Sequence, residues 1–411
     1  MPNGVLSFTT VFPNASEPQK GLFVARRLQR MGELERVTVL APVTLWDYRR
    51  LSRAAETICA RRREGALDVY HPRWVHVPGG GALNGFLLFL QLLPSVWRIG
   101  RRNFAVIDAH FGHPEAFAAA LLSIACRRPF VVTLRGSEVI HGRYPLRRFF
   151  MGWALRRAAR VIAVSERLRQ FAVGLGVDPG RTTTVPNGVD TAVFHARNRT
   201  EIRERLGVAS GKKMVLTAGH LVREKGHHRV LLAVEDLRRR GIDAELFIAG
   251  GPGREGGARY AEELHAAAAT PELSGRVHFL GLVEPASLAE YMCAADVFCL
   301  ASYREGWPNV VHESLACGTP VVCTDVGAVP DLVPSGTYGY VVPCDDQAAL
   351  TKALEAALTG EWDRAAISSW AGSRTWDRVA REVLVVIESV AGGLGPARPV
   401  SSLAKCDGPT V

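Results

Sequence analysis

Short apolar runs recur along the chain, each followed by a loop and then by apolar positions at helical spacing. Val5-Leu-Ser-Phe-Thr-Thr10, Val37-Thr-Val-Leu-Ala41, Ala105-Val-Ile-Asp-Ala-His110, Phe130-Val-Val-Thr-Leu-Arg-Gly136 and Arg160-Val-Ile-Ala-Val-Ser165 read as strands, with Leu22 to Met31 as the first helix. Val185-Pro-Asn-Gly-Val-Asp-Thr-Ala-Val-Phe194 demands a turn, and the pattern then restarts. Lys213 to Gly219, Ala244 to Gly250, Val277 to Val283, Asp296 to Ala301 and Val321 to Thr324 are the strands of the second half. Strands alternating with helices predict an α/β protein of two doubly wound, Rossmann-like domains, 1–194 and 195–375.

One stretch organises the second half: Ser302-Tyr-Arg-Glu-Gly-Trp-Pro-Asn-Val-Val-His-Glu-Ser-Leu-Ala-Cys-Gly-Thr-Pro320. Pro308 sits at the start of a helix, Gly318 closes it and Pro320 prevents continuation. Val311 and Leu315, four apart, form its packing face. Glu305 in the loop and Glu313 inside the helix have no packing reason to be there, since a buried carboxylate is costly unless something hydrogen-bonds to it. Free N–H groups around Asn309 to Val311 favour a phosphate or pyrophosphate. A carboxylate one turn along could accept both hydroxyls of a ribose, and one in the loop could reach a sugar hydroxyl. A surface helix with two solvated glutamates is the simpler account of such a pair taken alone.

The surrounding residues decide between them. Glu305-Gly-Trp-Pro-Asn-Val-Val-His-Glu313, with Ser-Leu-Ala-Cys-Gly-Thr-Pro-Val-Val322 after it, strongly resembles the signature of two glutamates eight residues apart in glycosyltransferase family 4. The resemblance implies a GT-B fold, two domains facing across a cleft with a C-terminal helix, 376–391, crossing back to the first. It implies retaining transfer from a nucleotide-sugar, with Glu313 on the donor ribose, Glu305 on the transferred sugar, the helix amides on the diphosphate, and Gly306, Trp307, Pro308, Asn309 and Val310 among the donor-binding residues. His220-Leu-Val-Arg-Glu-Lys-Gly226 is similar to the family's Gly-Arg-x-x-x-x-Lys-Gly. Lys225 matches the lysine that neutralises the diphosphate; His220 replaces the arginine, and Arg223 is the candidate to compensate.

Further resemblances cover the first half. Gly21 matches a glycine near the diphosphate. His110 matches a functional histidine at a strand's carboxyl end, with Asp108 where the family has another histidine. Arg135-Gly136 resembles an acceptor-side turn, with Arg135 in place of histidine. Gly251 and the backbone of Val283 fall where the family meets the nucleotide. The opening, Phe12-Pro13 through Gly21-Leu-Phe-Val24, resembles members that build bacterial surface polysaccharides of the teichuronic-acid type. No metal and no other cofactor is implied; the partners are a UDP- or GDP-sugar donor and a glycan or lipid-linked acceptor, without nucleic acid. Two other readings stay open: a dinucleotide-dependent oxidoreductase resting on Gly251-Pro-Gly-Arg-Glu-Gly256, and a non-catalytic nucleotide-sugar sensor.

Composition adds a location. The 411 residues are 47% hydrophobic and 22% charged, suited to globular cores. No run reaches the roughly 18 apolar residues of a membrane span, the start lacks a basic-then-apolar leader, and eight scattered cysteines without C-x-x-C pairs suit a cytosolic protein with reduced thiols. Residues 1–190 hold 27 Lys+Arg against 13 Asp+Glu, while the remainder holds 23 against 27. The basic half should therefore face something anionic: a membrane surface, a lipid diphosphate or nucleic acid. Asn84 to Arg102 and Arg143 to Arg160 mix arginine with aromatic residues, as helices at an anionic membrane interface do; solvated basic faces on core helices would look the same. Residues 392–411, rich in Gly, Pro and Ser, are expected to form a disordered tail.

Overall fold

The computed structural model describes residues 4–47, 58–77, 79–81, 83–209, 211–253 and 256–392. The chain forms two compact units, the first from the N-terminal part through Asn187 plus the segment from Trp376, the second from Gly188 to Thr375. The first division thus falls a few residues before the expected 194/195.

Unit 1 is built on an eight-stranded sheet. Its strands are β1 (Val5–Phe8), β2 (Val37–Leu40), β4 (Arg61–Glu64), β5 (Leu67–Tyr70), β7 (Val106–His110), β8 (Phe130–Leu134), β9 (Arg160–Ala163) and β10 (Thr182–Thr184), in the order β10-β9-β8-β7-β1-β2-β5-β4. Two short strands, β3 (Val43–Thr44) and β6 (Arg73–Trp74), pair separately. All neighbours in the large sheet are parallel except the edge pair β4–β5. That edge hairpin, joined through Gly65 at φ +58°, has an arginine-rich strand whose weak alternation hid it in the sequence. β1, β7 and β8 are buried throughout, which is why they read as continuous apolar runs rather than alternating ones.

Helices cover both faces of this sheet. On one side Leu83–Ile99, Glu115–Cys126 and Pro145–Arg157 share a core that includes Leu88, Leu92, Phe117, Met151 and Leu155. On the other lie Leu22–Leu34 and Trp376–Ala391. The latter buries Trp376, Val379, Ala380, Val383, Leu384 and Ile387, a one-sided apolar stripe that seats it against Leu22–Leu34. The single helical stretch expected over 363–391 is split into Arg364–Gly372 and Trp376–Ala391. At the break the Arg374 carbonyl leaves the helical pattern to accept the Val189 N–H at 2.9 Å. The tail expected over 392–411 lies outside the described residues apart from Gly392.

Unit 2 carries a six-stranded, wholly parallel sheet. Its strands are β11 (Lys213–Ala218), β12 (Ala244–Ala249), β13 (Val277–Gly281), β14 (Val297–Leu300), β15 (Val321–Thr324) and β16 (Gly339–Val342), in the order β13-β12-β11-β14-β15-β16. Chain order runs outward from β11 to β13 on one side and from β14 to β16 on the other. The direction of winding therefore reverses between β11 and β14, and α/β sheets bind ligands at the carboxyl ends of the strands flanking such a point.

Candidate active site

The two strands at the reversal point of unit 2 deliver a lysine and a glutamate to one another. After β11 the chain turns at Gly219, makes a 3-10 turn over Arg223–Lys225 and enters the helix His227–Arg239 through Gly226. Gly226 has φ +69°, and a Cβ there would stand 2.0 Å from the Ala301 carbonyl oxygen, so only glycine lets this turn lie against the end of β14. After β14 the loop Ser302 to Pro308 leads into the helix Asn309–Ala316. The Tyr303 N–H donates to the Glu224 carbonyl at 2.8 Å, tying the two loops. Lys225 Nζ then donates to Glu305 Oε1 at 2.7 Å and Ser302 Oγ donates to the same oxygen at 2.8 Å.

The loop that carries Glu305 is braced from below. Thr324 Oγ1 donates to the Ser302 carbonyl at 2.5 Å, and the Ala328 N–H donates to the Gly306 carbonyl at 3.0 Å. Gly327, at φ +54°, passes so close that a Cβ would lie 2.3 Å from the Glu305 carbonyl oxygen. The Glu305 side chain is only 10% exposed and Lys225 28%. Both bonds from described residues fall on Oε1, which leaves Oε2 open to a hydroxyl donor, and a lysine ammonium has two further N–H groups to offer.

The helix Asn309–Ala316 starts after Pro308 with no side-chain cap, and the Val311 N–H donates to the Pro308 carbonyl at 3.0 Å. Val311, His312, Ser314 and Leu315 are buried, whereas Asn309, Val310 and Glu313 are half-buried. Asn309 and Glu313 are four apart and share a face. The Glu313 Cα therefore lies about 6 Å along the axis from that of Asn309; the Cys317 thiol is pushed up chiefly by its hydrogen bond with Cys293 and by burial, with the Glu313 charge adding to them. Trp307 is buried and meets His312 edge to face at 5.9 Å. His312 Nε2 donates to the Ala371 carbonyl at 3.0 Å, and burial lowers its pKa to about 4, so the ring is neutral. Trp307 thus anchors the loop from within the core rather than presenting its ring at the tip.

The remaining donor-side residues also collect at the carboxyl edge of this sheet, each with a local reason. Gly251 is buried where a Cβ would meet the Leu282 side chain at 2.9 Å, and a Cβ at Gly253 would meet Val222 at 2.4 Å. The Leu221 N–H donates to the Gly251 carbonyl at 2.9 Å. Of the apparent dinucleotide fingerprint, Gly251 thus serves close packing against the segment after β13 and Gly253 against the loop after β11. Val283 follows β13 and is half-buried. Arg223, expected to compensate for His220, turns the other way: it is 64% exposed, pairs with Glu263 at 2.5 Å and lies over Tyr260. His220 is itself exposed. Lys225 is the cation from this loop that reaches Glu305.

In unit 1 the corresponding edge is occupied by a buried polar network. Arg27, on the packed side of Leu22–Leu34, is 2% exposed and donates to Asp108 Oδ2 at 2.6 Å and Thr133 Oγ1 at 2.8 Å. His110 is fully buried. Its Nδ1 faces Arg135 Nη2 at 3.0 Å and Nε at 3.3 Å, both donors, so Nδ1 must accept and the proton resides on Nε2. Nε2 in turn lies 3.2 Å from Asp108 Oδ2 and 3.0 Å from Ser7 Oγ. Burial, then the neighbouring Arg27, lowers the imidazole pKa to about 3 and keeps it neutral. His110, which matches a functional histidine of the family, thus has both ring nitrogens engaged at the end of β7. The backbone beside it is held in an uncommon conformation, Phe111 at φ +75°.

Arg135 is likewise buried, with Nη1 on Asn187 Oδ1 at 3.3 Å and its guanidinium over Phe23. Gly136 N–H, Arg135 N–H and Gly112 N–H all donate to the Glu138 carboxylate, at 2.6, 3.2 and 2.9 Å. Gly21, at φ +69°, enters the helix Leu22–Leu34 where a Cβ would be 2.4 Å from the Val11 carbonyl oxygen. Sequence reasoning missed Arg27, Glu138, Ser302 and Gly327. Arg27 had a signal, falling within the buried set Val24, Ala25, Leu28 and Met31.

Comparison with known proteins agrees with this geometry. Residues 198–372 match the model of glycosyl transferases group 1, and residues 22–193 that of Glycosyltransferase Family 4. A Bacillus subtilis (strain 168) protein named for teichuronic acid biosynthesis as glycosyltransferase TuaC is 30% identical over 84% of this chain and 86% of its own length. The phosphatidyl-myo-inositol mannosyltransferase of Mycolicibacterium smegmatis is 29% identical over 77% of this chain and 81% of its own. Among solved structures, Anabaena HepE in complex with UDP superposes with a TM-score of 0.73 at 19% identity, covering 94% of this chain and all of that one. Sucrose-phosphate synthase from Thermosynechococcus elongatus gives 0.76 at 17%, covering 95% and 99%. The strand order around the Lys225–Glu305 pair, the two matched models and the long alignment to TuaC lead to one conclusion: this chain is a glycosyltransferase of family 4 with the GT-B fold.

Proposed function

We propose that the protein transfers a sugar, with retention of anomeric configuration, from a UDP- or GDP-sugar to a glycan or lipid-linked acceptor in bacterial surface polysaccharide biosynthesis. The observation that carries the donor half is the Lys225–Glu305 pair across the reversal point of the unit 2 sheet, beside an uncapped helix tip with Glu313 one turn along. In this reading the amides at Asn309 and Val310 and the Lys225 ammonium receive the diphosphate. Glu313 accepts from the ribose hydroxyls, and Glu305 Oε2 accepts from a hydroxyl of the transferred sugar. The C1–O bond to phosphate breaks as the acceptor oxygen bonds C1 on the same face. The acceptor proton passes to the departing phosphate oxygen. Negative charge grows on the diphosphate during this step, and the fixed ammonium and amides stabilise it without a metal.

The relative named for teichuronic acid biosynthesis supports the polysaccharide assignment, and the UDP held by HepE supports a uridine donor. Cys126, Cys293, Cys299, Cys317 and Cys323 are buried thiols, which fits action in a reducing cytoplasm. The test is transfer from UDP- and GDP-sugars to candidate acceptors in the presence of EDTA, with the product anomer read by proton NMR. Retained configuration and undiminished transfer are expected. An inverted product, or activity restored only by a divalent cation, would overturn the mechanism.

A further inference from the structure

The helix Leu83–Ile99 is apolar on two opposite sides. Leu88, Leu92 and Val96 enter the core, while Leu83, Phe86, Leu90 and Trp97 stand 67%, 46%, 45% and 72% exposed. Spacings of three, four and seven residues put those four on one stripe, where a surface helix normally carries polar residues. A second helix, Pro145–Arg157, exposes Leu146 at 68% and Phe149 at 61%. Both helices pack on Glu115–Cys126: Phe117 meets Phe150 at 4.8 Å, and a Cβ on Gly85 would touch the Phe117 ring. Their first turns approach one another through His113, which bonds the Gly81 carbonyl at 3.3 Å and meets edge to face the ring of His141, itself 3.3 Å from Arg147.

The charge around these apolar residues has one sign. No Asp or Glu occurs from residue 69 to 107 or from 139 to 165, whereas arginines stand at 98, 101, 102, 143, 147 and 148. Two copies of this surface placed face to face would oppose like charges, which argues against a self-dimer. An anionic lipid headgroup layer offers the opposite charge, with an apolar interior for the exposed side chains. Among the described residues no helix is long and apolar enough to cross a membrane, so the contact lies on the bilayer.

We propose that the stripe Leu83, Phe86, Leu90 and Trp97, with Leu146, Phe149 and the flanking arginines, seats unit 1 on an anionic phospholipid bilayer. The inference stands on unit 1 alone and does not depend on the donor reading. It is tested by co-sedimentation of the full chain with phosphatidylcholine vesicles with and without phosphatidylglycerol. Binding is expected with the anionic vesicles at low salt, weakening by about tenfold at high salt and in Phe86→Ser/Leu90→Ser/Phe149→Ser. A blue shift of tryptophan emission on binding should shrink in Trp97→Phe. The triple variant should keep wild-type melting and wild-type transfer to a water-soluble acceptor, which reads the proposed function separately. Wild-type protein left in the supernatant, a triple variant that binds equally well, or a dimer in solution that the triple substitution dissociates would each overturn the proposal.

Discussion

Lys225 Nζ and Glu305 Oε1 lie 2.7 Å apart although 80 residues separate them, because the sheet sets the loops after β11 and β14 side by side. The pair holds the loop glutamate in place and keeps a cation at the carboxyl edge of the sheet. Lys225→Ala should lower kcat by about 10²- to 10³-fold, the range for removing one donor to developing charge. Glu305→Ala should cost a similar factor. The double variant should lose much less than the product of the two, since each side chain orders the other. Steady-state kinetics on the four proteins checks this; additive losses would mean the two side chains act separately.

Gly327 makes a second, independent handle on the same loop. At φ +54° a side chain costs about 1–2 kcal/mol, and its Cβ would fall 2.3 Å from the Glu305 carbonyl oxygen. Gly327→Ala should push the loop outward, so transfer should drop by more than tenfold while the melting temperature moves by about 4 °C or less. Equal activity in this variant would show that the loop position does not matter.

In unit 1 the Arg27–Asp108 pair is fully enclosed. Removing Asp108 strands a buried guanidinium, so Asp108→Ala should destabilise the protein by about 3–5 kcal/mol. Chemical denaturation measures it. A change under about 1 kcal/mol would mean water reaches Arg27 freely.

Stability should depend on pH in a set direction. His71, His113, His227 and His312 have their pKa lowered to about 4 and His110 to about 3, in each case chiefly by burial. The folded protein binds fewer protons than the unfolded chain below about pH 6.5, so stability present above that pH is lost as pH falls toward 4, on the order of 3 kcal/mol for each ring. Glu115 opposes this: burial raises its carboxyl to about 7 despite the Thr10 hydroxyl donating to it. The folded state favours its protonated form, so its contribution is full below pH 4.5 and falls as pH rises to 7. Five histidines outweigh one glutamate, and denaturation midpoints should drop steeply between pH 6.5 and 4. In Glu115→Gln the decline from pH 4.5 to 7 attributable to this carboxyl should vanish.

Much of this was legible in the chain because parallel strands buried on both faces are written as apolar runs, and because proline, glycine and spacing mark the helix that carries Glu313. The donor loops were legible for the same reason: Gly226 and Gly318 stand where the backbone turns. What stayed hidden were bonds between distant residues. Nothing local links Arg27 to Asp108 or Gly327 to the Glu305 carbonyl. Arg223 and Lys225 look equivalent in a basic loop, yet one turn of backbone sends the first to Glu263 and the second to Glu305. His110 was read as a functional histidine at a strand's carboxyl end, and the flanking guanidiniums of Arg27 and Arg135 that enclose it could not be read there.

The central claim is that the tip of Asn309–Ala316 and the carboxylate one turn along it hold a nucleoside diphosphate. Isothermal titration of UDP and GDP into wild-type protein and Glu313→Ala tests it most directly. One diphosphate should bind the wild type, and the substitution should weaken it by about 10- to 100-fold, the loss of hydrogen bonds to a charged acceptor. Unchanged affinity in Glu313→Ala, or no binding of either nucleotide to the wild type, would contradict the account.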